Sequence, residues 1–135
     1  MAVQWSTTVR NAVLDAWETA IGTSAIIVIR TGSQPANAAA ADTGSVLATF
    51  SMASDWAAAA GTAQKVLNSL PLSVTASGTG TAGHYRLYAS NGTTCHEQGS
   101  ITATGGGGDV EIDNTSITSG QTVRITAFTK TAPHA

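Results

Sequence analysis

The sequence predicts a mainly β protein, a single-domain β-sandwich or jelly roll of about seven to eight antiparallel strands with one N-terminal helix. Short runs of apolar and β-branched residues recur along the chain and are separated by Gly, Asn, Ser and Thr. Asn91-Gly92 lies between two such runs and is a strong hairpin signal, because both residue types tolerate positive φ. Only the N-terminal segment spaces its apolar residues as a helix does.

The N-terminal segment is predicted to be a short arm, residues 1–6, followed by a helix over residues 7–22. Ser6, Thr7 or Thr8 can cap the helix, and Gly22 can end it. One helical face carries the apolar residues Val9, Val13, Leu14, Trp17 and Ile21. This stripe packs on the domain's own sheet, or it forms a contact surface for a partner subunit together with Trp5. The second interpretation makes Trp5, Val9, Val13 and Trp17 the candidate partner-contact residues.

The β-sandwich is predicted to occupy residues 25–130, with residues 131–135 as a tail. Residues 33–43 have no periodicity and are expected to form an ordered surface loop. Asp55 can cap a helical turn in the alanine run 57–60, where Trp56 is expected to plug the edge of the sandwich. The predicted strands are 25–30, 45–52, 72–76, 84–90, 94–103, 110–113 and 121–130.

The register of the hairpin at residues 84–103 depends on the length of its loop. A two-residue turn with Asn91 and Gly92 both at positive φ places Arg86 opposite Glu97. A longer loop through Thr93 shifts that register, so the sequence leaves the strand pairing open.

The composition limits the function classes that fit the chain. Its 135 residues correspond to one domain. Only 10% of them are charged, against about 25% in ordinary soluble domains. The net charge of −2 offers no basic surface for nucleic acid. Low charge is typical of a protein that works inside an assembly, where charged groups are costly to desolvate. A protease-resistant secreted domain rich in Thr, Ala and Gly has the same composition.

The chain carries few residues that support metal binding or catalysis. Cys95 is the only cysteine, so no intrachain disulfide can form. Cys95 and His96 are adjacent and point to opposite faces of a strand, so they do not readily share an ion or act as a nucleophile pair. His84 can approach Cys95 across the hairpin, but two ligands do not make a zinc site. The sequence therefore predicts no catalytic residues, no metal and no cofactor.

Two further patterns have simple structural interpretations. Asp109, Glu111 and Asp113 alternate along a strand and are expected to form a solvated acidic face; a calcium site or a glycosidase carboxylate pair is the alternative. The glycine runs 78–83 and 105–108 lack the Gly-Lys-Ser/Thr ending of a phosphate loop and are expected to be turns.

Nothing at the N-terminus has the pattern of a signal peptide, and no apolar run reaches the roughly 18 residues of a membrane span. The expectation is a soluble protein synthesised in the cytoplasm, with no membrane partner.

Most of the chain resembles small jelly-roll virion proteins of tailed phages, the head cement or decoration proteins. The resemblance is carried by turn-and-strand motifs in LDAWETAIGTSAIIVIRTG (14–32), QPANAAAADTGSVLATFSM (34–52), TAGHYRLYASNGTTCHEQGSITATGGGGD (81–109) and DNTSITSGQTVRITAF (113–128). It implies a non-enzymatic protein on the capsid exterior that bridges neighbouring major capsid protein subunits. A homodimer or homotrimer is expected as well, because a protein that engages two or more subunits gains effective concentration.

Two other function classes remain open from the sequence. A receptor- or glycan-binding module of a phage tail or fibre would present clustered exposed aromatics, and Tyr88 with the tryptophans can supply them. A hydrolase would need an inward-facing carboxylate pair or a triad, and the sequence marks neither.

Overall fold

The computed structural model describes residues 2–135 and confirms the mainly β, sandwich-like fold with one N-terminal helix. The helix α1 spans Thr7–Ile21 and is followed by nine strands within the described residues. Seven of these strands correspond to predicted ones, whereas the short β3 and β8 were not predicted. The strands are β1 (Ile26–Thr31), β2 (Val46–Ser51), β3 (Gln64–Val66), β4 (Leu72–Thr75), β5 (Gly80–Tyr88), β6 (Cys95–Ala103), β7 (Val110–Ile112), β8 (Ser116–Ile117) and β9 (Thr122–Thr131).

The strands form one curled sheet in the order β2-β1-β5-β6-β7-β9-β3, with β4 also paired to β9 and β8 to β5. The pairs are antiparallel except β6 with β7, which run parallel. The expectation of purely antiparallel strands is therefore wrong for this pair.

A glycine-rich loop explains how the chain doubles back between β6 and β7. Gly105 and Gly107 have φ values of +87° and +81°, a region that favours glycine. A Cβ on Gly108 would lie 2.9 Å from the amide nitrogen of Thr102. Glycine therefore permits both the turn and the close approach. The run 105–108 is a turn, as predicted, but it returns the chain parallel to β6.

The hairpin lies where the sequence predicts it, but its loop is longer than two residues. The Gly92 amide donates to the Ala89 carbonyl at 3.0 Å, and the Ala89 amide donates to the Thr94 carbonyl at 2.9 Å. Gly92 has a φ of +72°, whereas Asn91 does not have a positive φ. The Asn91 side chain instead accepts the amides of Thr93 and Thr94.

The longer loop changes the register. Arg86 lies opposite Gln98, and Leu87 lies opposite Glu97. The two-residue-turn alternative, with Arg86 opposite Glu97, is therefore wrong, and the longer loop is the one the chain adopts.

The helix begins and ends at the predicted signals. Ser6 accepts the amide of Val9 through its hydroxyl at 3.2 Å, and Gly22 follows the last turn with a φ of +92°. The helix therefore stops one residue before the predicted boundary at Gly22.

The core fills the inside of the curled sheet, and α1 covers one side of it. Trp56 is buried there, and its indole N–H donates to the Gly22 carbonyl at 2.8 Å. The alanine run after Trp56 is not helical, because Ala57 bridges to Leu67 as an extended segment. The helical turn expected after Asp55 is therefore wrong. Fully buried core residues from the strands include Ile27, Ile29, Leu47, Leu87, Val110, Ile112, Val123 and Ile125.

Both chain ends of the described region are held against each other. The Trp5 amide donates to the His134 carbonyl at 2.8 Å, and the Gln4 side chain reaches the Ala135 carbonyl at 3.5 Å. The Arg10 guanidinium donates to the carbonyls of Ala132 and Pro133 at 2.7 and 3.2 Å. The segment predicted as a tail thus supports the N-terminal arm.

Candidate functional site

The four predicted partner-contact residues do not form one surface, because Trp17 turns inward. Trp17 packs against the core, with its ring centroid 5.3 Å from that of Trp56. Its indole N–H donates to a Glu97 carboxylate oxygen at 3.1 Å. The helical stripe is therefore divided: Leu14, Trp17 and Ile21 face the core.

Glu97 is one of the residues that tie α1 to the sheet. Its half-buried carboxylate accepts from Trp17, from the Tyr85 hydroxyl at 2.5 Å, and from the Lys130 ammonium. Burial, and after it the negative charge of Glu97, holds the pKa of Tyr85 well above its usual range. The helix is thus fixed in orientation, which fixes the direction in which its outer side points.

The outer side of the helix and the arm both carry exposed apolar side chains. Val9 and Val13, four residues apart, are 45% and 39% exposed, and Trp5 is 36% exposed. Val3 is 63% exposed and joins this set, although sequence reasoning did not single it out. We call Val3, Trp5, Val9 and Val13 the N-terminal apolar face.

This face concentrates the exposed large apolar side chains of residues 2–135, since the others are Val46 and Val66 alone. Its aromatic member, Trp5, packs edge-on against His134 with ring centroids 4.5 Å apart. An anchored aromatic side chain loses little conformational freedom on binding, which favours its use in an interface.

A second feature is a cavity of about 770 Å³ between α1 and the segment 54–59. The buried Lys65 ammonium lies in its wall, 2.7 Å from Asp15 and 2.6 Å from Glu18. Burial by itself lowers the pKa of Lys65, but its hydrogen bonds to the two carboxylates outweigh burial and raise it. The same bond to Lys65, with one from the Ala60 amide, lowers the pKa of Asp15. The charged groups in the cavity wall, Lys65, Asp15 and Glu18, are therefore paired with one another.

A third feature is the strap, residues 32–45, which lies across the outer face of β5. Arg86, 1% exposed, holds it from below. Its guanidinium donates to the carbonyls of Ala38 and Ala40 at 2.7 and 3.0 Å, and pairs with Asp42 at 3.0 Å. The loop predicted to be ordered over the surface is therefore clamped by a buried cation.

Neighbouring side chains complete this clamp. The Tyr88 hydroxyl donates to Asp42 at 2.5 Å, and burial followed by this hydrogen bond raises the pKa of Tyr88 to about 12. His84 contacts the Gly32 carbonyl through Nδ1 at 2.8 Å, and Gln98 donates to the Pro35 carbonyl at 2.6 Å. Tyr88, expected to be exposed for sugar stacking, is thus buried under the strap.

The candidate metal ligands are dispersed. His84 is buried under the strap, His96 is exposed on the strand, and the Cys95 sulfur accepts from Arg86 Nε at 3.1 Å. No group of three or more His, Cys, Asp or Glu side chains arranged to hold a metal ion occurs in residues 2–135.

The alternating acidic residues have local structural partners. Asp109 accepts the Ser100 amide at 2.9 Å, and Asp113 accepts the Arg124 amide at 3.1 Å. Glu111 accepts the amides of Gly105 and Gly107 in the glycine-rich loop. These carboxylates stabilise the turn and the strand pairing around β7, which the expectation of a merely solvated face did not include.

No protein family, curated protein or solved structure matches this chain. Among the described residues, no helix combines the length and the apolar character needed to cross a membrane.

Proposed function

We propose that this chain is a phage virion protein that binds the capsid exterior and bridges neighbouring major capsid protein subunits without carrying out catalysis. The observation that carries the proposal is the N-terminal apolar face, presented on a helix fixed by Glu97 and on an arm fixed by His134. A rigid apolar surface on a domain of low charge is suited to permanent attachment in an assembly.

Self-association belongs to this proposal. A dimer or trimer that engages two or more capsid subunits gains effective concentration, so modest contacts at each site add up to firm attachment. The proposal places the protein on the virion after synthesis in the host cytoplasm, and it assigns neither nucleic acid nor membrane as a partner. The sequence resemblance to cement proteins supports the same assignment.

The test adds purified protein back to capsids that were assembled without it, at low and high salt. Attachment through apolar contacts should survive high salt, because screening weakens charge pairs and leaves apolar burial intact. Capsids that lack the protein should rupture at lower temperature than complete ones. Loss of binding at high salt, or equal heat resistance with and without the protein, would refute the assignment.

Two valines provide a matched test of the face. Val13 and Val66 are 39% and 41% exposed, but only Val13 belongs to the N-terminal apolar face. Val13→Ser should weaken attachment several-fold, whereas Val66→Ser should leave it unchanged. Equal effects of the two substitutions would show that the face is not the contact surface.

Trp5→Ala is the sharpest single substitution, because a buried aromatic anchor often contributes about 2 kcal/mol or more to an interface. It is preferable to removing residues 1–6, since Ser6 caps the helix and its loss would also affect folding. The melting temperature of the free protein should fall little, while attachment should fall by tenfold or more.

The metal-ligand candidates should be dispensable for attachment. Cys95→Ala and His96→Gln are expected to bind capsids as the parent protein does. Stoichiometric zinc in the purified protein, lost in these variants together with binding, would contradict this.

The alternative as a sugar-binding fibre module depends on clustered exposed aromatics. In the described part of the chain, Trp5 is the one exposed large aromatic side chain, and Tyr88 is buried. This distribution favours the capsid assignment, and binding of a glycan array by the purified protein would reverse that preference.

A further inference from the structure

Several strands of the curled sheet have one edge without a strand partner among residues 2–135, and β2 and β4 are two of them. β2 pairs only with β1, and β4 pairs only with β9. These two edges face each other, and we call the gap between them the seam.

The hydrogen bonds at the ends of both strands fix which backbone groups point into the seam. The Leu47 carbonyl accepts from the Ser77 amide across the seam, whereas the Met52 amide donates to Ala25 on the β1 side. Backbone groups of successive strand residues point to opposite edges. Thr49 and Ser51 therefore direct their N–H and C=O groups into the seam.

The same reasoning applies to β4. The Ala76 amide donates to the Gln121 carbonyl, and the Ala76 carbonyl accepts the Gly120 amide, so Ala76 faces away from the seam. Alternation then directs the backbone groups of Ser73 and Thr75 into the seam.

The seam is closed at one end and open at the other. At the closed end, the amides of Ser77 and Gly78 donate to the Leu47 carbonyl at 2.9 and 3.3 Å. At the open end lies a cavity of about 270 Å³, lined by residues 49–52 and 72–74. Phe50, Leu72 and Val74 supply its apolar wall.

At the other end of the sheet, the edge strand β3 is covered by a neighbouring segment of the chain, whereas the seam has no such cover among the described residues. Beside β3, the Ala58 amide donates to the Val66 carbonyl, and Ala57 bridges to Leu67. Natural proteins protect open edges with such cover or with charged residues, because an open edge can pair with another strand. The seam segments 46–52 and 72–75 contain no charged residue and no proline.

We propose that the seam binds an extended segment of the neighbouring capsid subunit, which adds as a strand between β2 and β4. This inference rests on the proposed function and names the contact through which attachment is made, in addition to the N-terminal apolar face. A row of free backbone N–H and C=O groups is complementary to another extended backbone. The cavity is smaller than the roughly 300–1,000 Å³ of small-molecule pockets, and it accepts an apolar side chain of the incoming segment.

An inserted strand needs one strand spacing, about 4.8 Å, on each side. β2 is joined to β1 by five residue pairs, and β4 is joined to β9 by four. The shorter strand β4 therefore moves away from β2 on binding, while the Leu47–Ser77 contact remains the hinge of the seam.

The test uses proline at a seam-facing amide. Thr49→Pro removes an N–H that points into the seam and leaves the β1–β2 hydrogen bonds in place, as proline on an edge strand does. Thr49→Val alters the same side chain but keeps the N–H, and is the matched control. Ser51→Pro, compared with Ser51→Thr, repeats the comparison two residues along the same edge.

Binding to capsids assembled without this chain should fall about tenfold or more for Thr49→Pro and remain at the parent level for Thr49→Val. Hydrogen exchange of segments 46–52 and 72–75 should slow in the capsid-bound parent protein. If the melting curve shows that Thr49→Pro does not fold, Ser51→Pro and the hydrogen-exchange measurement test the strand-addition proposal instead.

The outcomes separate the two proposals. Parent protein that binds, with proline variants binding equally well and no slowing of exchange in the seam, overturns the strand-addition inference and leaves the capsid function intact. Parent protein that does not bind capsids at all overturns both.

Discussion

Replacing Arg86 by methionine should unfold the protein at a distinctly lower temperature. Methionine keeps the aliphatic length of the side chain but removes its charge and donors. The substitution deprives the carbonyls of Ala38 and Ala40 of a charged donor. It also leaves Cys95 and Asp42 without this contact.

The magnitude follows from which of these groups water can reach. A hydrogen bond from a charged group contributes about 1.5–3 kcal/mol, and two are lost to carbonyls. The Asp42 side chain is 42% exposed, so water replaces much of its pairing and this loss is discounted. Desolvation of the guanidinium, which methionine avoids, offsets part of the total. We expect a net loss of about 2–4 kcal/mol in the free energy of unfolding, equivalent to about 6–20 °C for a domain of this size.

Thermal unfolding followed by circular dichroism measures the shift, and Arg124→Met is the matched control. The Arg124 side chain is 53% exposed and 3.9 Å from Asp113, so its loss should cost at most about 1 kcal/mol. Amides of the strap should also exchange faster in Arg86→Met. A variant that melts within about 2 °C of the parent would refute the reasoning that Arg86 clamps the strap.

Three further predictions concern single groups. The pKa of Asp15 is lowered in the folded protein, so its contribution to stability should be present above the unfolded pKa of about 3.8 and be lost as the pH falls through the folded pKa. The pKa of Lys65 is raised above 10.5, so its contribution to stability should be present below pH 10.5 and be lost as the pH rises through the folded pKa. Unfolding measured across pH tests both. Tyr88 should ionise near pH 12, and the stability of the fold should decrease between about pH 10 and 12, because Tyr88 ionises at lower pH in the unfolded chain. An unshifted phenol pKa in an absorbance titration would contradict this. Gly92→Val should lower the free energy of unfolding by about 1–2 kcal/mol through its φ of +72°, whereas Gly61→Ala, at a position with negative φ and open space, should change it little in denaturant titrations.

The strand pattern could be predicted because each strand carries its own local signal. Alternating apolar residues and the Asn91-Gly92 signal located the hairpin to within a few residues. The register could not be predicted, because a one-residue change in the loop shifts every pair, and loop length depends on Asn91 accepting the amides of Thr93 and Thr94.

The contacts of the strap were beyond the reach of sequence reasoning for a different reason. Arg86 and Asp42 lie 44 positions apart, and no local pattern indicates that an arginine in a strand is buried. Strand alternation places Arg86 on the outer face, which is correct, but it cannot show that residues 32–45 cover that face. The same limit explains Tyr88, whose position in a strand gives no sign that its hydroxyl meets Asp42.

The candidate contact residues could also be predicted only in part from the sequence. Helical periodicity placed Val9, Val13 and Trp17 on one stripe, but a stripe wider than the core contact must leave one side exposed. Which side packs depends on Trp56 and Glu97, residues distant in sequence that receive the Trp17 ring and its N–H. Val9 and Val13 remain outside, and they are available to a partner for that reason.

The few cations of this chain are used within the molecule, and this bears directly on how it can bind a partner. All six basic residues have intramolecular contacts: Arg10 with terminal carbonyls, Arg30 and Arg86 with Asp42, Lys65 with Asp15 and Glu18, Arg124 with Asp113, and Lys130 with Glu97. A partner that relied on cations would have to break these pairs, at a cost that a surface ion pair seldom returns. Apolar side chains and free backbone groups remain for recognition, and both are present, in the N-terminal apolar face and in the seam.

Binding through either surface should respond to salt in the same way but to mutation differently: Val13→Ser removes apolar area, and Thr49→Pro removes a backbone donor. Substitutions at both sites should lower capsid binding additively if the surfaces contact separate parts of the capsid. If one single variant binds like the parent and the double variant binds like the other single variant, only one of the surfaces touches the capsid.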